Sequence, residues 1–135
     1  MVGLRARFGR TMSDTMKDYR KLLVWQKAHD VALRIHTTTD SIRARGNLGL
    51  INQIRRAALS IPANIAEGCG RSSDADFAKF VQIAIGSVGE VEYHLHFASD
   101  RGLLPAAEVA ARHGELVEVR KMLIGLQRKL RPPTQ

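Results

Sequence analysis

The sequence predicts an all-α fold: an up-down-up-down antiparallel four-helix bundle with a kinked second helix. Three observations carry this. Four long runs repeat apolar residues at alternating spacings of three and four, the pattern of a helical face turned to a core. Short stretches holding glycine, serine or proline separate the runs, and short connections leave neighbouring helices antiparallel. No segment offers itself as a strand.

Residues 1–18 read as a basic, disordered extension. Arg5, Arg7 and Arg10 precede the first acid, Asp14. An arginine-rich, acid-poor start has the composition of an organellar transit peptide. A basic arm, or a start codon upstream of Met12 or Met16, are the alternatives. The bundle then spans 19–131, and 132–135 form a tail.

The first helix is expected from about Leu22 to Ser41. Val24, Ala28, Val31, Ile35, Thr38 and Ile42 make its stripe, and Trp25 widens the buried face. Three successive threonines, Thr37 to Thr39, are expected to fray its end. Gly46 and Asn47 serve as turn and cap residues.

The second helix lies within Asn47 to Arg71. Ile51, Ile54, Ala58, Ile61 and Ile65 form an apolar stripe. Beside it Gln53, Ala57, Ser60, Asn64, Glu67 and Arg71 form a second, mostly polar row. Two rows imply contacts on two sides: the core on one, and a polar network, a pore or a partner subunit on the other. Pro62 has no N–H and its ring presses on the carbonyl of Ala58, which predicts a kink. The alternative is a new helix starting at Pro62. Ala57, Ala58, Ala63 and Ala66 leave room for a neighbouring helix. Gly68 and Gly70 are expected to end the helix in a left-handed cap.

Ser73, three residues before Asp76, opens the third helix with a variant capping box. The helix is expected from Asp74 to Asp100, with Phe77, Val81, Ala84, Val88, Val91, Leu95 and Ala98 inward. Gly86 and Gly89 inside it point to a close helix crossing, because each costs roughly 1 kcal/mol relative to alanine. Gly102 closes the helix. The fourth opens near Pro105 and runs to about Leu130, on Leu116, Val119, Leu123, Leu126 and Leu130. Pro132 and Pro133 stop it.

A chain of 135 residues with 44% hydrophobic and 25% charged residues is sized for one domain with a real core. No apolar run approaches the roughly 20 residues of a membrane span. The single cysteine, Cys69, rules out an internal disulfide and fits a reducing cytoplasm. The net charge of +8 favours a polyanionic partner, RNA or DNA.

The charge is segregated. Arg43, Arg45, Arg55 and Arg56 lie between Asp40 and Glu67 with no acid among them. Arg120, Lys121, Arg128, Lys129 and Arg131 follow Glu118, again with no acid. The third helix carries five acids and one lysine. Arg43, Arg45, Arg55, Arg56, Arg120, Lys121, Arg128 and Lys129 are therefore the candidate nucleic-acid contacts. Against this, Arg55 and Arg56 also suit salt bridges to Glu67 or Asp76 of a neighbouring copy, and the C-terminal set suits dipole compensation. Trp25, Phe77, Phe80 and Phe97 all fit core faces, which leaves no exposed aromatic for base stacking. Gln53, Ser60, Asn64, Glu67 and Arg71 are the candidate polar network or subunit interface.

Enzyme chemistry finds little support. Di-iron bundles use Glu-x-x-His, and no such spacing occurs in the chain. Glu90 with His94, and Glu92 with His96, are four apart and suit simple helix pairs. Cys69 and His94 offer a thin nucleophile–base set. There is no P-loop. No metal and no cofactor is expected.

Residues 24–33 (VWQKAHDVAL), 50–71 (LINQIRRAALSIPANIAEGCGR) and 77–95 (FAKFVQIAIGSVGEVEYHL) resemble the 23S rRNA intervening-sequence proteins. These are small bacterial four-helix-bundle proteins, some encoded within insertions in 23S rRNA genes. The resemblance covers roughly Asp18 to Leu130. Its most specific part is Gln53, Arg55, Arg56, Ala57, Ser60, Ile61, Pro62, Asn64 to Gly68, Gly70 and Arg71. It implies a four-helix bundle that assembles as a ring, a homopentamer, while the residues themselves point to a non-enzymatic protein. A protein-interaction adaptor without direct nucleic-acid contact is the alternative function.

Overall fold

The computed structural model describes residues 18–131. The expectations for the N-terminal extension before Asp18 and for the tail at 132–135 lie outside the described residues. A 3-10 turn at Tyr19–Lys21 leads into α1 (Leu23–Thr39), α2 (Leu48–Cys69), α3 (Asp74–Asp100) and α4 (Ala106–Leu130). No strand occurs among the described residues. α1 packs on α2, α2 on α3, α3 on α4, and α4 back on α1. The expected stripes meet in one core, with Ile35, Ile54, Ile65, Phe77, Leu116 and Leu123 fully buried.

The helix ends show which local signals act. Ser73 Oγ accepts the N–H of Asp76 at 3.1 Å, so the capping residue acts as expected. Gly102 adopts φ +72° beyond α3, and Gly46 φ +83° before α2, conformations that favour glycine. Asn47 does not cap with its side chain; its Nδ2 donates back to the carbonyl of Arg43 at 2.9 Å. Gly70 does not take a left-handed cap. It stays near φ −82°, its N–H shared between the carbonyls of Ala66 and Glu67.

α1 ends at Thr39 rather than Ser41, and the threonine run is pinned rather than frayed. Thr38 Oγ1 donates to Glu108 at 2.7 Å, and Thr39 Oγ1 to the carbonyl of His36 at 2.8 Å. Asp18, assigned by sequence to the extension, caps the 3-10 turn through the N–H of Arg20. The Arg20 guanidinium beside it holds the Asp18 carboxyl below the usual carboxylate range.

α2 runs through Pro62 without interruption, so no new helix begins there. The small-residue expectation moves. A Cβ at Gly86 or Gly89 would meet nothing within 4 Å, so no helix of the described residues crosses there. The close approach is at Gly68, where a Cβ would stand 2.8 Å from both Phe77 Cδ1 and Phe80 Cβ.

Candidate interaction surfaces

Two of the eight candidate cations are committed to the fold. Arg55 reaches back from α2 to the end of α1. Its Nε donates to Thr39 Oγ1 at 2.8 Å and its Nη2 to Asp40 Oδ1 at 2.7 Å. The expected partner, Glu67 or Asp76 of another copy, is thus replaced by an acid of the same chain. Arg120 on α4 makes a two-pronged contact with the largely buried Glu92 of α3, whose Oε2 also lies 3.0 Å from His113 Nδ1. Bidentate geometry makes this a firm clasp between α3 and α4. Arg120→Met is expected to cost about 1–3 kcal/mol in a urea melt, because Glu92 loses its main partner. Adding Glu92→Gln to that variant should restore part of the loss.

The other six candidates, Arg43, Arg45, Arg56, Lys121, Arg128 and Lys129, are exposed. Among the described residues none of them forms an ion pair.

The polar row of α2 closes mostly onto α3 of its own chain. Ser87 Oγ donates to the carbonyl of Ile83 at 3.1 Å, so Ser60 Oγ donates to Ser87 across 2.8 Å. Asn64 Nδ2 in turn donates to both oxygens of Ser60. One relay thus satisfies the half-buried polar atoms between the helices. Arg71 pairs with Glu67 at 2.9 Å and lies over the Phe80 ring, 4.7 Å from its centroid. Gln53 is exposed beside Arg56 in a shallow hollow that Ser60 and Glu90 also line.

Glu90 pairs with His94 at 3.2 Å as its spacing predicts, but His96 pairs with Asp100, not Glu92. Cys69 and His94 are not brought together. Gly68 abuts Phe77, and His94 lies roughly 25 Å further along α3 at 1.5 Å per residue. Burial pushes the Cys69 thiol up, the opposite of an activated nucleophile. No group of three metal-ligating side chains occurs among the described residues. No helix of the described residues is long and apolar enough to cross a membrane.

Sequence reasoning missed one surface. Phe97, assigned to the core, is 42% exposed, and Tyr93 and Ile83 on the same helix are 61% and 50% exposed. With Gly86 and Glu90 they recur at spacings of 3, 4, 3 and 4, a second stripe on the side of α3 away from the core. Leu59, 64% exposed, lies one turn from Arg55 on the α1 side of α2 and is not part of this stripe. The period was legible in the sequence, masked by the stronger inward stripe.

The profile of the 23S rRNA-intervening sequence proteins matches residues 20–125. The chain belongs to that family. No curated protein matches it. A solved structure similar to it is a protein of unknown function of the S23 ribosomal protein family from Bacteroides thetaiotaomicron VPI-5482. That structure shares 26% identity at a TM-score of 0.73, over 78% of this chain and 96% of the other. In this 23S rRNA-intervening sequence protein, the stretch that carries the resemblance is used by the fold itself. Arg55 ties α2 to α1, Ser60 and Asn64 tie it to α3, and Gly68 admits Phe77.

Proposed function

We propose that this protein is a non-enzymatic, self-associating bundle that binds RNA or DNA, or scaffolds it, through unpaired basic side chains. The observation that carries the reading is the segregation of charge. Six exposed cations lack an ion pair among the described residues, while five acids are gathered on α3. Contacts of this kind are made to phosphate and weaken steeply with salt. Arg55 and Arg120 drop out of the proposed contact set, since both are held by acids of the same chain.

The cross-helix pairs Arg55–Asp40, Ser60–Ser87, Gln127–Gln82 and Thr38–Glu108 support the up-down-up-down order, and Pro62 within α2 supports a bend there. Self-association draws on the exposed apolar stripe of α3, Ile83, Tyr93 and Phe97. A closed ring needs two different, complementary patches on each copy. The α1–α4 edge lies opposite the α2–α3 edge, and it carries a cleft of about 500 Å³ lined by Leu33, Thr37 and Pro105 among others. Those two edges suit a ring, taken here as a homopentamer. One buried cysteine suits a reducing cytoplasm. A protein adaptor with no nucleic-acid contact is the second reading, favoured by the same apolar face.

Fluorescence anisotropy with a labelled structured RNA and a duplex DNA tests the first reading. Wild type is expected to bind at about 50 mM salt and to weaken markedly by about 200 mM. Reversing Arg128 and Lys129 to glutamate together should abolish most of the affinity with helicity unchanged. Absent affinity at low salt, or affinity indifferent to salt, rejects this function. A protein partner retained after nuclease treatment in high salt favours the adaptor.

A further inference from the structure

We infer that the polyanion lies along the outer face of the C-terminal half of α4, with its phosphate backbone seated over the bare main chain at Gly125. The inference rests on the nucleic-acid reading above and names where and how the contact is made. Lys121, Gly125 and Arg128 are spaced by four and three, so they share one face. Lys121 and Arg128 stand about 10 Å apart along the helix axis, and Lys129 is beside them. All three cations are exposed and without an ion pair among the described residues. Glu118 bounds the strip upstream, and no acid follows it in the chain.

Gly125 is unexplained by the fold. A glycine inside a helix weakens it, and Gly68 shows how close packing can require one. At Gly125 a Cβ would meet nothing within 4 Å, so no neighbour among the described residues excludes a side chain. Glycine is also the residue that lets a ligand approach the backbone closely. The unpaired cations on either side say which ligand: a phosphodiester chain. Bases are not the target, because the exposed aromatic stripe of Tyr93 and Phe97 lies on α3, the helix that carries five acids. Gly114 on α4 has equally open surroundings, but Glu118 is the charged residue one turn on, and nearby Arg112 is paired with Glu115 at 3.2 Å, which makes it the control.

The experiment compares wild type, Gly125→Ala, Gly114→Ala and Arg128→Ala by thermal melting and by anisotropy with a labelled RNA hairpin and a DNA duplex. Both glycine variants are expected to raise Tm by about 2–4 °C. Only Gly125→Ala should weaken binding, by about threefold or more on both probes, so that stability and affinity move in opposite directions. Arg128→Ala should reduce the slope of log affinity against log salt by about 0.9. Wild-type affinity in Gly125→Ala, or equal weakening in Gly114→Ala, overturns the placement on α4. If wild type binds neither probe, the nucleic-acid reading itself falls and takes this inference with it.

Discussion

Phe77→Ala is expected to lower the free energy of unfolding by about 3–5 kcal/mol. The ring is fully buried, at the end of the bundle where α2 hands over to α3 through the short connection at 70–73. Its Cδ1 stands 2.8 Å from where a Cβ on Gly68 would be, and Phe80 Cβ is equally close. The two helices therefore meet at that point only because residue 68 has no side chain. Two effects compete in Gly68→Ala. Alanine is the better helix former by about 1 kcal/mol. Overpacking against a ring and a Cβ costs about 1–3 kcal/mol. Phe80 Cβ is tied to the α3 backbone and cannot rotate away, so overpacking should prevail and the variant should be less stable than wild type. Phe77→Leu removes one of the two obstacles, and the double variant should recover part of the loss. Urea melts of the four proteins measure this as a coupling of about 0.5–3 kcal/mol. A Gly68→Ala protein more stable than wild type would show that α2 and α3 leave room for a side chain at this point.

What could be read from the sequence follows the range of the interactions involved. α3 is legible from Asp74 to Asp100 because its signals are local: a serine cap, acids in the first turn, a glycine just beyond the end. The core stripes were legible for the same reason, since periodicity is a property of consecutive residues. Phe97 reads as a core residue because its type argues for burial, yet it is exposed. Two positions beyond Leu95 on a helix it points about 200° away, at 3.6 residues per turn. The partners of Arg55 and Glu92 depend on how α1 meets α2 and how α3 meets α4. Asp40 is 15 residues from Arg55 and Arg120 is 28 from Glu92, and no local rule sets those registers. Gly86 and Gly89 inside a helix call for a close neighbour, but sequence spacing does not assign that neighbour to the same chain or to another. Among the described residues no such neighbour exists, because open space surrounds both positions.

Those two glycines bear on the other large effect. Replacing Ile83 and Phe97 together by arginine is expected to reduce the assembly to single chains of 15.0 kDa while leaving the helices intact. Both side chains point away from the core, so the substitutions leave the core packing unchanged. They do place two charges in a face whose contact with another copy would strip them of water, and unpaired buried charge is costly. Gly86 and Gly89 between them would let a neighbouring helix come close to the α3 backbone, as Gly68 does inside the chain. Light scattering during gel filtration reads the mass, and circular dichroism reads the helix content. A wild type that already runs as one chain at micromolar concentration removes self-association. A double variant that keeps the wild-type mass moves the interface to another face. The nucleic-acid measurement then gains a second use. If several copies present their α4 cations to one polymer, avidity multiplies weak contacts. The dissociated variant should therefore bind long RNA far more weakly than wild type, although every one of its own α4 cations is still present.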